Sequence, residues 1–494
     1  MRKIAFAAAA AVVLGAGLWG CGKAPEASKP EVLLDAAVIT PVSLPTTADY
    51  PVAQATIQGW IDTSNTAAIR NHAWQLWQAM SQPSGQVFNG QDLPIWDTWA
   101  GSNEVFPPAP TGLQATANTP KTTVADRVKA PRSPHQFISP NQFHHGRGGI
   151  PSPQFDGAIT AFNKFSPEAA AFIDSSQTGP GGTYTYSNGN DLGLLNAAWP
   201  ATTPAQNRTI NVFPVRGIEL KPVFGLVKAT GLTIQPLWQG PSGSTNATNP
   251  MPPTWTTCVL IDPTYKGAVR PATKDEAAKA KDAAGFNYFS GCKTYLWGGL
   301  DTFYAVKLSK AEAAAFNAAN QPPPPPAVPP PSAAEGDYAV LQAMHVNTKE
   351  IPFWTWQTFW WQPGGDTPNG FPGSKQGQPA TLKTPWNNYA SCTAYDQTTT
   401  PGGSTMTVCF NPYLETSTQI PSGITSNCMS CHGVAVIAAN APYPANYTAP
   451  ISFFTDTTYF TTSNTQADFS WAVAGAAVVP PTTTAKAPAA AKPK

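Results

Sequence analysis

Helical spacing of apolar residues occurs in only a few parts of the chain. The clearest stretch begins at Ser64 or Asn65 and ends at Met80, where the apolar residues share one face of a 3.6-residue period. Three further helix starts are predicted because a capping residue precedes an acidic residue of the first turn. They lie at Ser166-Pro167-Glu168, at Thr273 with Glu276 (a helix expected to reach Gly285), and at Ser309 with Glu312.

Strand-like patterns are concentrated in the middle of the chain. Runs rich in β-branched and aromatic residues cover 210–215, 218–227, 232–237 and 255–261. Further on, Trp354, Trp356 and Trp360 alternate as one face of a strand would. These indoles would form an aromatic core or wall a bound group, and the two interpretations overlap.

Composition favours a fold with many loops. The chain has 53 prolines and 39 glycines among 494 residues, and its proline share is roughly twice the average of about 5%. Together with the short periodic segments, this predicts an α+β fold that is loop-rich, with short antiparallel strands and a few short helices.

The N-terminus resembles an export signal. Two basic residues precede an apolar run from Ile4 to Trp19, which is too short and Gly-interrupted for a membrane span. The run ends at Leu18-Trp19-Gly20-Cys21, which resembles a bacterial lipobox. We therefore expect residues 1–20 to be a signal peptide and Cys21 to be acylated, which predicts a periplasmic lipoprotein anchored to the membrane.

Two Pro-rich stretches suggest how the remaining residues are divided. Residues 21–50 predict a flexible tether, and the proline run in 321–334 predicts an extended linker. We expect one globular region at 51–320, a second region at 335–478, and a disordered tail at 479–494.

Charge excludes one class of partner. Charged residues make up 12% of the chain and the formal net charge is +1. A nucleic-acid-binding protein needs a strongly basic face, so nucleic acid is not expected as a partner. Docking to partner proteins is expected through polar or apolar patches rather than strong electrostatic steering.

One short motif near the carboxyl end carries specific chemistry. Cys428-Met429-Ser430-Cys431-His432 has the C-x-x-C-H spacing at which haem is attached covalently to a polypeptide. The thiols of Cys428 and Cys431 would form thioethers with the haem vinyl groups, and His432 would be the proximal iron ligand. This predicts one haem c, bound in the C-terminal part of the fold.

Zinc and redox sites are the alternatives for this motif. A zinc site needs two further soft ligands, and the sequence has no second close Cys pair or Cys/His pair. A thioredoxin-like site is expected near a βαβ pattern, which the sequence does not show.

Four cysteines remain once Cys21, Cys428 and Cys431 are set aside. They allow three pairings, and in an oxidising compartment we favour disulfides between cysteines of the same segment. Buried free thiols are the alternative, although stray thiols beside a haem-attachment motif would risk incorrect cross-links. The favoured pairs are Cys258–Cys292 and Cys392–Cys409.

The sixth iron ligand, if the protein supplies it, must precede the motif, because no His follows His432 and Met429 is the last methionine. We favour His345, which lies just before the Trp-rich strand; a core or surface histidine with local hydrogen bonds is the alternative. Met344 would point to the opposite face of a strand. The other candidates are Met406, His144, His145, His72, Met80 and Met251.

The order of these features resembles a protein family. An exported N-terminus is followed by His345, a Trp-x-Trp-x-Thr-Phe strand, the run Asn411-Pro-Tyr-Leu-Glu-Thr416 and one late C-x-x-C-H motif. This order is similar to that of a group of bacterial monohaem cytochrome c family proteins. The resemblance is best over 336–477, with a weaker echo at 217–228. It implies covalent haem c and electron transfer, without a known substrate.

These features favour an exported c-type monohaem cytochrome that passes single electrons between redox partner proteins. The alternative is a haem-dependent oxidoreductase or substrate-binding lipoprotein, in which the large N-terminal region binds a substrate and the haem relays electrons. A lipoprotein that uses haem only to stabilise its fold is a third hypothesis. The sequence contains no hydrolase elbow, no phosphate-binding glycine loop and no His-rich metal cluster.

Overall fold

The β-branched run at 218–227 becomes an almost fully buried strand of the largest sheet. The computed structural model of the protein describes residues 36–46, 48–107, 123–137, 160–248, 250–319, 328–365, 371–396, 407–416, 423–438 and 460–478. Over these residues it confirms the predicted α+β class, with short helices, antiparallel sheets and long connecting loops.

The helices and strands of the described residues are numbered in chain order. The helices are α1 Gln54–Asp62, α2 Thr66–Met80, α3 Ser102–Val105, α4 Val124–Arg127, α5 Pro167–Asp174, α6 Gly189–Ala198, α7 Lys274–Ala278, α8 Lys310–Ala319, α9 Cys428–His432 and α10 Trp471–Ala476. The strands are β1 Ala37–Val38, β2 Pro83–Phe88, β3 Gln91–Pro94, β4 Ala100–Gly101, β5 Pro131–Arg132, β6 Thr160–Ala161, β7 Lys164–Phe165, β8 Ser176–Gly179, β9 Gly182–Thr185, β10 Ile218–Val227, β11 Thr233–Pro236, β12 Thr257–Asp262, β13 Arg270–Pro271, β14 Thr294–Gly299, β15 Ala305–Lys307, β16 Tyr338–Thr348, β17 Thr355–Trp361, β18 Tyr389–Ala394, β19 Val436–Ile437 and β20 Thr465–Gln466.

The central sheet has the order β18-β17-β16-β10-β7-β4, with β15 beside β16 and β6 beside β10. Neighbouring strands are antiparallel. The longest pairing joins β10 to β16, from Ile218 opposite Thr348 to Val227 opposite Tyr338, with one register shift near its middle. A second sheet, β11-β12-β14-β13, contains one parallel pair, β12 with β14.

Each face of the central sheet is covered by a separate core. Because successive side chains of a strand point to opposite faces, β17 contributes to both. Trp356 and Trp360 pack in the core that contains Met429 of α9. Phe359 packs in the core that contains α2, where Trp77 stacks on it with 4.3 Å between ring centroids. These two sides are called the α9 face and the α2 face below.

The Pro-rich boundary predicted at 321–334 lies inside one packed unit. β10 precedes this segment and β16 follows it, yet the two strands are hydrogen-bonded neighbours. Residues 34–494 accordingly group as one compact unit. The two predicted regions therefore share a sheet, which the local composition of the proline run could not reveal. Residues 320–327 lie outside the described residues.

The predicted tether at 21–50 is packed where the structure describes it. β1 pairs with β5, and Ile39 and Leu44 are buried. The indole Nε1 of Trp99 donates to the carbonyl of Val42 at 2.7 Å. Burial of these apolar residues fixes this segment to the body of the protein.

Local capping patterns located most helix starts correctly. α2 begins after Asn65, whose side chain accepts a hydrogen bond from the Ala68 amide at 3.1 Å. α5 follows Ser166 and α7 follows Thr273, as predicted. However, α7 ends at Ala278 and continues only as a 3₁₀ turn. The predicted strand at 210–215 is absent from the strands of the described residues.

Candidate functional site

The C-x-x-C-H motif forms helix α9. Asn427 is its N-cap, and the Asn427 side chain accepts a hydrogen bond from the Met429 amide at 2.9 Å. Residues three and four positions apart lie on the same side of a helix. The motif therefore presents Cys428, Cys431 and His432 on one side, with Met429 buried in the core of the α9 face.

The other described cysteines form two disulfides that match the favoured pairs, Cys258–Cys292 and Cys392–Cys409, each with 5.7 Å between Cα atoms. The second links β18 to the segment before α9. Cys409 also forms an isolated β-bridge with Asn427, so this disulfide ties the N-cap of α9 to the central sheet.

Cys428 and Cys431 belong to neither disulfide and are both partly buried. The Cys428 thiol donates to the carbonyl oxygen of Cys409 at 3.5 Å. Burial, followed by the nearby charge of Glu415, raises the pKa of the Cys428 thiol well above its ordinary value. Cys428 is therefore a protonated thiol at neutral pH.

His432 is oriented by a backbone carbonyl. Its Nδ1 lies 3.0 Å from the carbonyl oxygen of Phe469. Because a carbonyl oxygen can only accept, Nδ1 carries a proton, so a neutral His432 imidazole would have its lone pair on Nε2. The imidazole also packs against Trp356 with 4.3 Å between ring centroids.

The turn that supplies this carbonyl has an unusual backbone. Asp468 and Phe469 have φ angles of +46° and +69°, in the left-handed region that non-glycine residues rarely adopt. The Asp468 carboxylate is 2.6 Å from Lys349 Nζ and accepts a hydrogen bond from the Phe213 amide at 3.1 Å. The next residue, Ser470, donates to Glu219 Oε1 at 2.7 Å.

His345 lies on β16 and faces the same side of the sheet as α9, because Ala343, two residues earlier, packs in that core. His345 Nε2 is 3.0 Å from Glu415 Oε1. Met344 is buried in the core of the α2 face, so the two adjacent candidates point to opposite faces, as the alternation predicted.

Glu415 belongs to the Asn411–Thr416 turn, which the sequence singled out only by resemblance. Asn411 anchors this turn to β17, because its side-chain amide donates to Thr358 Oγ1 at 2.6 Å. The Asn411 backbone amide donates to Glu415 Oε2 at 2.5 Å. These contacts direct the other carboxylate oxygen to His345.

Two further ionisable side chains lie on the α9 face. Lys221 pairs with His345 in the register of β10 and β16, and burial lowers its pKa to about 7 although the charges of Glu415 and Cys431 oppose this shift. Burial also raises the pKa of Glu219 to about 7. Both groups therefore change protonation state near neutral pH.

The remaining candidate ligands lie elsewhere or outside the described residues. His72 is buried, with Nδ1 2.6 Å from the Tyr395 hydroxyl and Nε2 3.2 Å from Glu350 Oε1. Met80 is buried in the core of the α2 face, and Met251 is partly buried before a 3₁₀ turn. Residues outside the described ranges are Cys21, His144, His145 and Met406.

Sequence reasoning missed a buried polar cluster around His135. Its Nδ1 and Nε2 are each 2.9 Å from a carboxylate, of Glu312 and Asp97 respectively. Lys164 Nζ lies 3.1 Å from Asp97, and the Tyr304 hydroxyl donates to Asp97 at 2.8 Å. These partners are far apart in sequence. The Ser309–Glu312 capping pattern was the one local signal, and it did not reveal the bond to His135.

The ionisable groups of this cluster, called the His135 cluster below, shift one another's pKa values. Burial opposes protonation of His135, but the charge of Asp97 and hydrogen bonds to both carboxylates raise its pKa to about 9. Burial lowers the pKa of Lys164 to about 8. The pKa of Asp97 is lowered by His135 and Lys164 despite its burial. The cluster thus pairs buried cations with buried anions.

Comparisons with known proteins found no matching family model, no matching curated protein and no matching solved structure. Within the described parts of the chain, no group of three or more His, Cys, Asp or Glu side chains is arranged to hold a metal ion. No helix in those parts combines the length and apolar character needed to cross a bilayer.

Proposed function

We propose that this protein is an exported c-type monohaem cytochrome that carries out single-electron transfer. The observation that carries this proposal is α9, which presents two cysteine thiols and the His432 imidazole on one side, with His432 held by the Phe469 carbonyl. Metal-ligating histidines usually donate their other ring N–H to a carbonyl or carboxylate in this way.

The donor set fits covalent haem attachment. Cys428 and Cys431 would hold haem c through thioethers, and His432 Nε2 would ligate the iron. Haem c supplies a one-electron couple at its iron when bound. The side chains of Trp356, Trp360 and Met429 are buried around this site and would exclude water from it.

A series of aromatic side chains leads from His432 to the surface. Trp356 contacts His432, and its ring centroid is 6.3 Å from that of Phe469. Phe469 is in turn 5.9 Å from Phe353, whose side chain is 36% exposed. This series supports electron exchange with a partner protein at the surface that includes Phe353.

We retain His345 as the proposed sixth ligand. Because Glu415 bonds Nε2 of His345, coordination would use Nδ1, and Glu415 would then be the acceptor that orients the ring. Two histidine ligands would give the iron a lower reduction potential than a His/Met pair.

A periplasmic site, a lipid anchor at Cys21 and redox partner proteins of unknown identity complete this proposal. The N-terminal sequence Leu18-Trp19-Gly20-Cys21 supports export and acylation. The low net charge of +1 supports docking without strong electrostatic steering.

A haem-dependent oxidoreductase is the second candidate function. It is favoured by Lys221 and Glu219, whose pKa values of about 7 would allow proton transfer near a haem on the α9 face. A catalytic haem would need an open iron position, whereas an electron carrier with His345 bound would not.

The test uses full-length protein purified from cells able to mature c-type cytochromes. The pigment should stay with the polypeptide after acid–acetone extraction, and the double variant Cys428→Ser/Cys431→Ser should lose it because both thioethers are removed. A Cys258→Ser/Cys292→Ser variant is the matched control and should keep its haem. Colourless wild-type protein, or pigment that is extracted, would refute the proposal.

Carbon monoxide then separates the two functions. Reduced protein with His345 on the iron should show little immediate spectral change when carbon monoxide is added. Rapid binding would contradict the six-coordinate arrangement and favour the oxidoreductase.

A further inference from the structure

The Asp468–Phe469 turn is a strained element that directs a carbonyl at His432. Both residues have left-handed backbone conformations, which are unfavourable for non-glycine residues. Asp tolerates this region better than most residues, whereas Phe does not. Such strain persists only when the surrounding structure holds it in place.

The contacts to Asp468 provide that restraint. Lys349, which follows β16, approaches one carboxylate oxygen at 2.6 Å, and the Phe213 amide donates to the other at 3.1 Å. The Lys349 and Asp468 side chains are only 3% and 9% exposed. Lys349 Nζ is further fixed by donating to the Pro352 carbonyl at 2.7 Å. Two separate segments thus converge on the residue that precedes the carbonyl.

The Lys349–Asp468 ion pair is not expected to add much to the stability of the fold. Burial raises the pKa of Asp468 and lowers that of Lys349, so desolvation opposes the charged form of both partners. A buried ion pair is often no more stable than apolar residues of similar volume. Its position beside Phe469 gives it a geometric role, because loss of the restraint would allow the carbonyl to leave His432 Nδ1.

We infer that Lys349 and Asp468 are positioning residues that hold the Phe469 carbonyl on His432 Nδ1 and thereby set the reduction potential of a haem bound at His432. The inference rests on the proposed function. A stronger hydrogen bond at Nδ1 makes the imidazole a stronger electron donor, which favours the ferric state. Loss of the pair should therefore shift the couple toward the ferrous state.

The experiment compares Asp468→Asn and Lys349→Met with Asp337→Asn in haem-loaded full-length protein. Asp337 pairs with Lys228 and lies just before β16, whereas Lys349 lies just after it. Asp337→Asn therefore breaks a Lys–Asp pair at the other end of the same strand. Spectroelectrochemistry measures the potential, and NMR measures exchange of the His432 Nδ1 proton.

Both test variants should keep covalent haem and shift the reduction equilibrium at least threefold toward the ferrous form, where tenfold corresponds to about 59 mV for one electron. The Nδ1 proton should exchange faster, and the double variant should add little to the larger single shift. Potentials and exchange rates equal to those of Asp337→Asn would overturn the inference.

A folding defect in Asp468→Asn would be bypassed by Asp468→Gly, because glycine adopts the left-handed conformation without strain while removing the carboxylate. The same shift is expected, and a wild-type potential in this variant would overturn the inference. Wild-type protein without covalent haem would instead refute the proposed function, so the two failures are distinguishable.

Discussion

The two faces of the central sheet each hold a histidine with polar partners, fully buried for His135 and partly buried for His432, but the partners differ in kind. In the core of the α2 face, both ring nitrogens of His135 bond carboxylates. On the α9 face, His432 donates Nδ1 to a neutral backbone carbonyl. Two carboxylates stabilise a doubly protonated imidazolium, whereas one carbonyl at Nδ1 favours the tautomer whose neutral ring would have its lone pair on Nε2.

This difference separates a structural cation from the proposed haem ligand. An imidazolium has no lone pair with which to ligate a metal, so His135 is suited to neutralising Asp97 and Glu312 inside the fold. The tautomer of His432 has the lone pair that a haem ligand requires. The identity of the hydrogen-bond partner is therefore the feature from which the role of each histidine is inferred.

The largest expected effect comes from removing the two imidazoles in turn. His135→Ala would leave two buried carboxylates without their shared cation, and we expect it to lower the free energy of unfolding by about 3–5 kcal/mol. His432→Ala removes one hydrogen bond and should cost about 1 kcal/mol. Urea denaturation of both variants in a haem-free Cys428→Ser/Cys431→Ser background measures this contrast.

Equal losses of stability in these two variants would contradict the comparison. The Cys428→Ser/Cys431→Ser parent is the control, because it removes any contribution from a covalently bound group. In otherwise wild-type protein, His432→Ala should abolish the spectrum of a haem with two imidazole ligands. A His135 variant that still folds should keep that spectrum.

A smaller effect is expected from pH. The pKa of His135 is raised to about 9 from about 6.5 in an unfolded chain, so its stabilising charge is fully present below pH 6.5 and is lost as pH rises toward 9. Lys164, with a pKa lowered to about 8, acts in the opposite direction above pH 8. Lys221, with a pKa lowered to about 7, also opposes the fall above pH 7. In a Lys221→Met background, the free energy of unfolding should therefore fall by about 2 kcal/mol between pH 6.5 and 8 and change less above pH 8.

Denaturation of the haem-free Lys221→Met variant at several pH values tests this slope. Glu219→Gln is the control. Because the pKa of Glu219 is about 7, the contribution of Glu219 to the free energy of unfolding declines mainly between pH 4.5 and 7. The slope above pH 7 should survive in that variant. An NMR titration that places the His135 pKa near 6.5 would contradict the charge assignment.

The sequence predicted features that depend on neighbouring residues. The cap of α2 at Asn65 and the cysteine pairs separated by 34 and 17 residues carry local signals. No local signal predicted the pairing of β10 with β16. Antiparallel partners are determined by the whole hydrophobic pattern and not by the linker between them.

The His135 cluster shows most clearly what sequence reasoning could not reach. Asp97 and Glu312 lie 38 and 177 residues from His135, and each is unremarkable in its own segment. The Asn411–Thr416 turn was predicted in part. Its sequence was singled out by the family resemblance, but only the structure shows that it directs Glu415 to His345.

The smallest expected effect compares the same substitution beside two histidines. The His135–Glu312 pair is 1% and 0% exposed, whereas the His345–Glu415 pair is 13% and 19% exposed. Solvent screens the second pair more strongly, so Glu415→Gln should lower the free energy of unfolding by about 1 kcal/mol or less. Glu312→Gln should cost about 3 kcal/mol, because it weakens a fully buried ion pair.

Urea denaturation of both glutamine variants in the haem-free background measures these losses, and a Glu415→Gln loss as large as that of Glu312→Gln would contradict the difference in screening. The haem-loaded Glu415→Gln protein then tests the proposed role of His345. If His345 Nδ1 ligates the iron, the weaker acceptor at Nε2 should raise the reduction potential although stability hardly changes. An unchanged potential would indicate that Glu415 pairs with a histidine that does not ligate the iron.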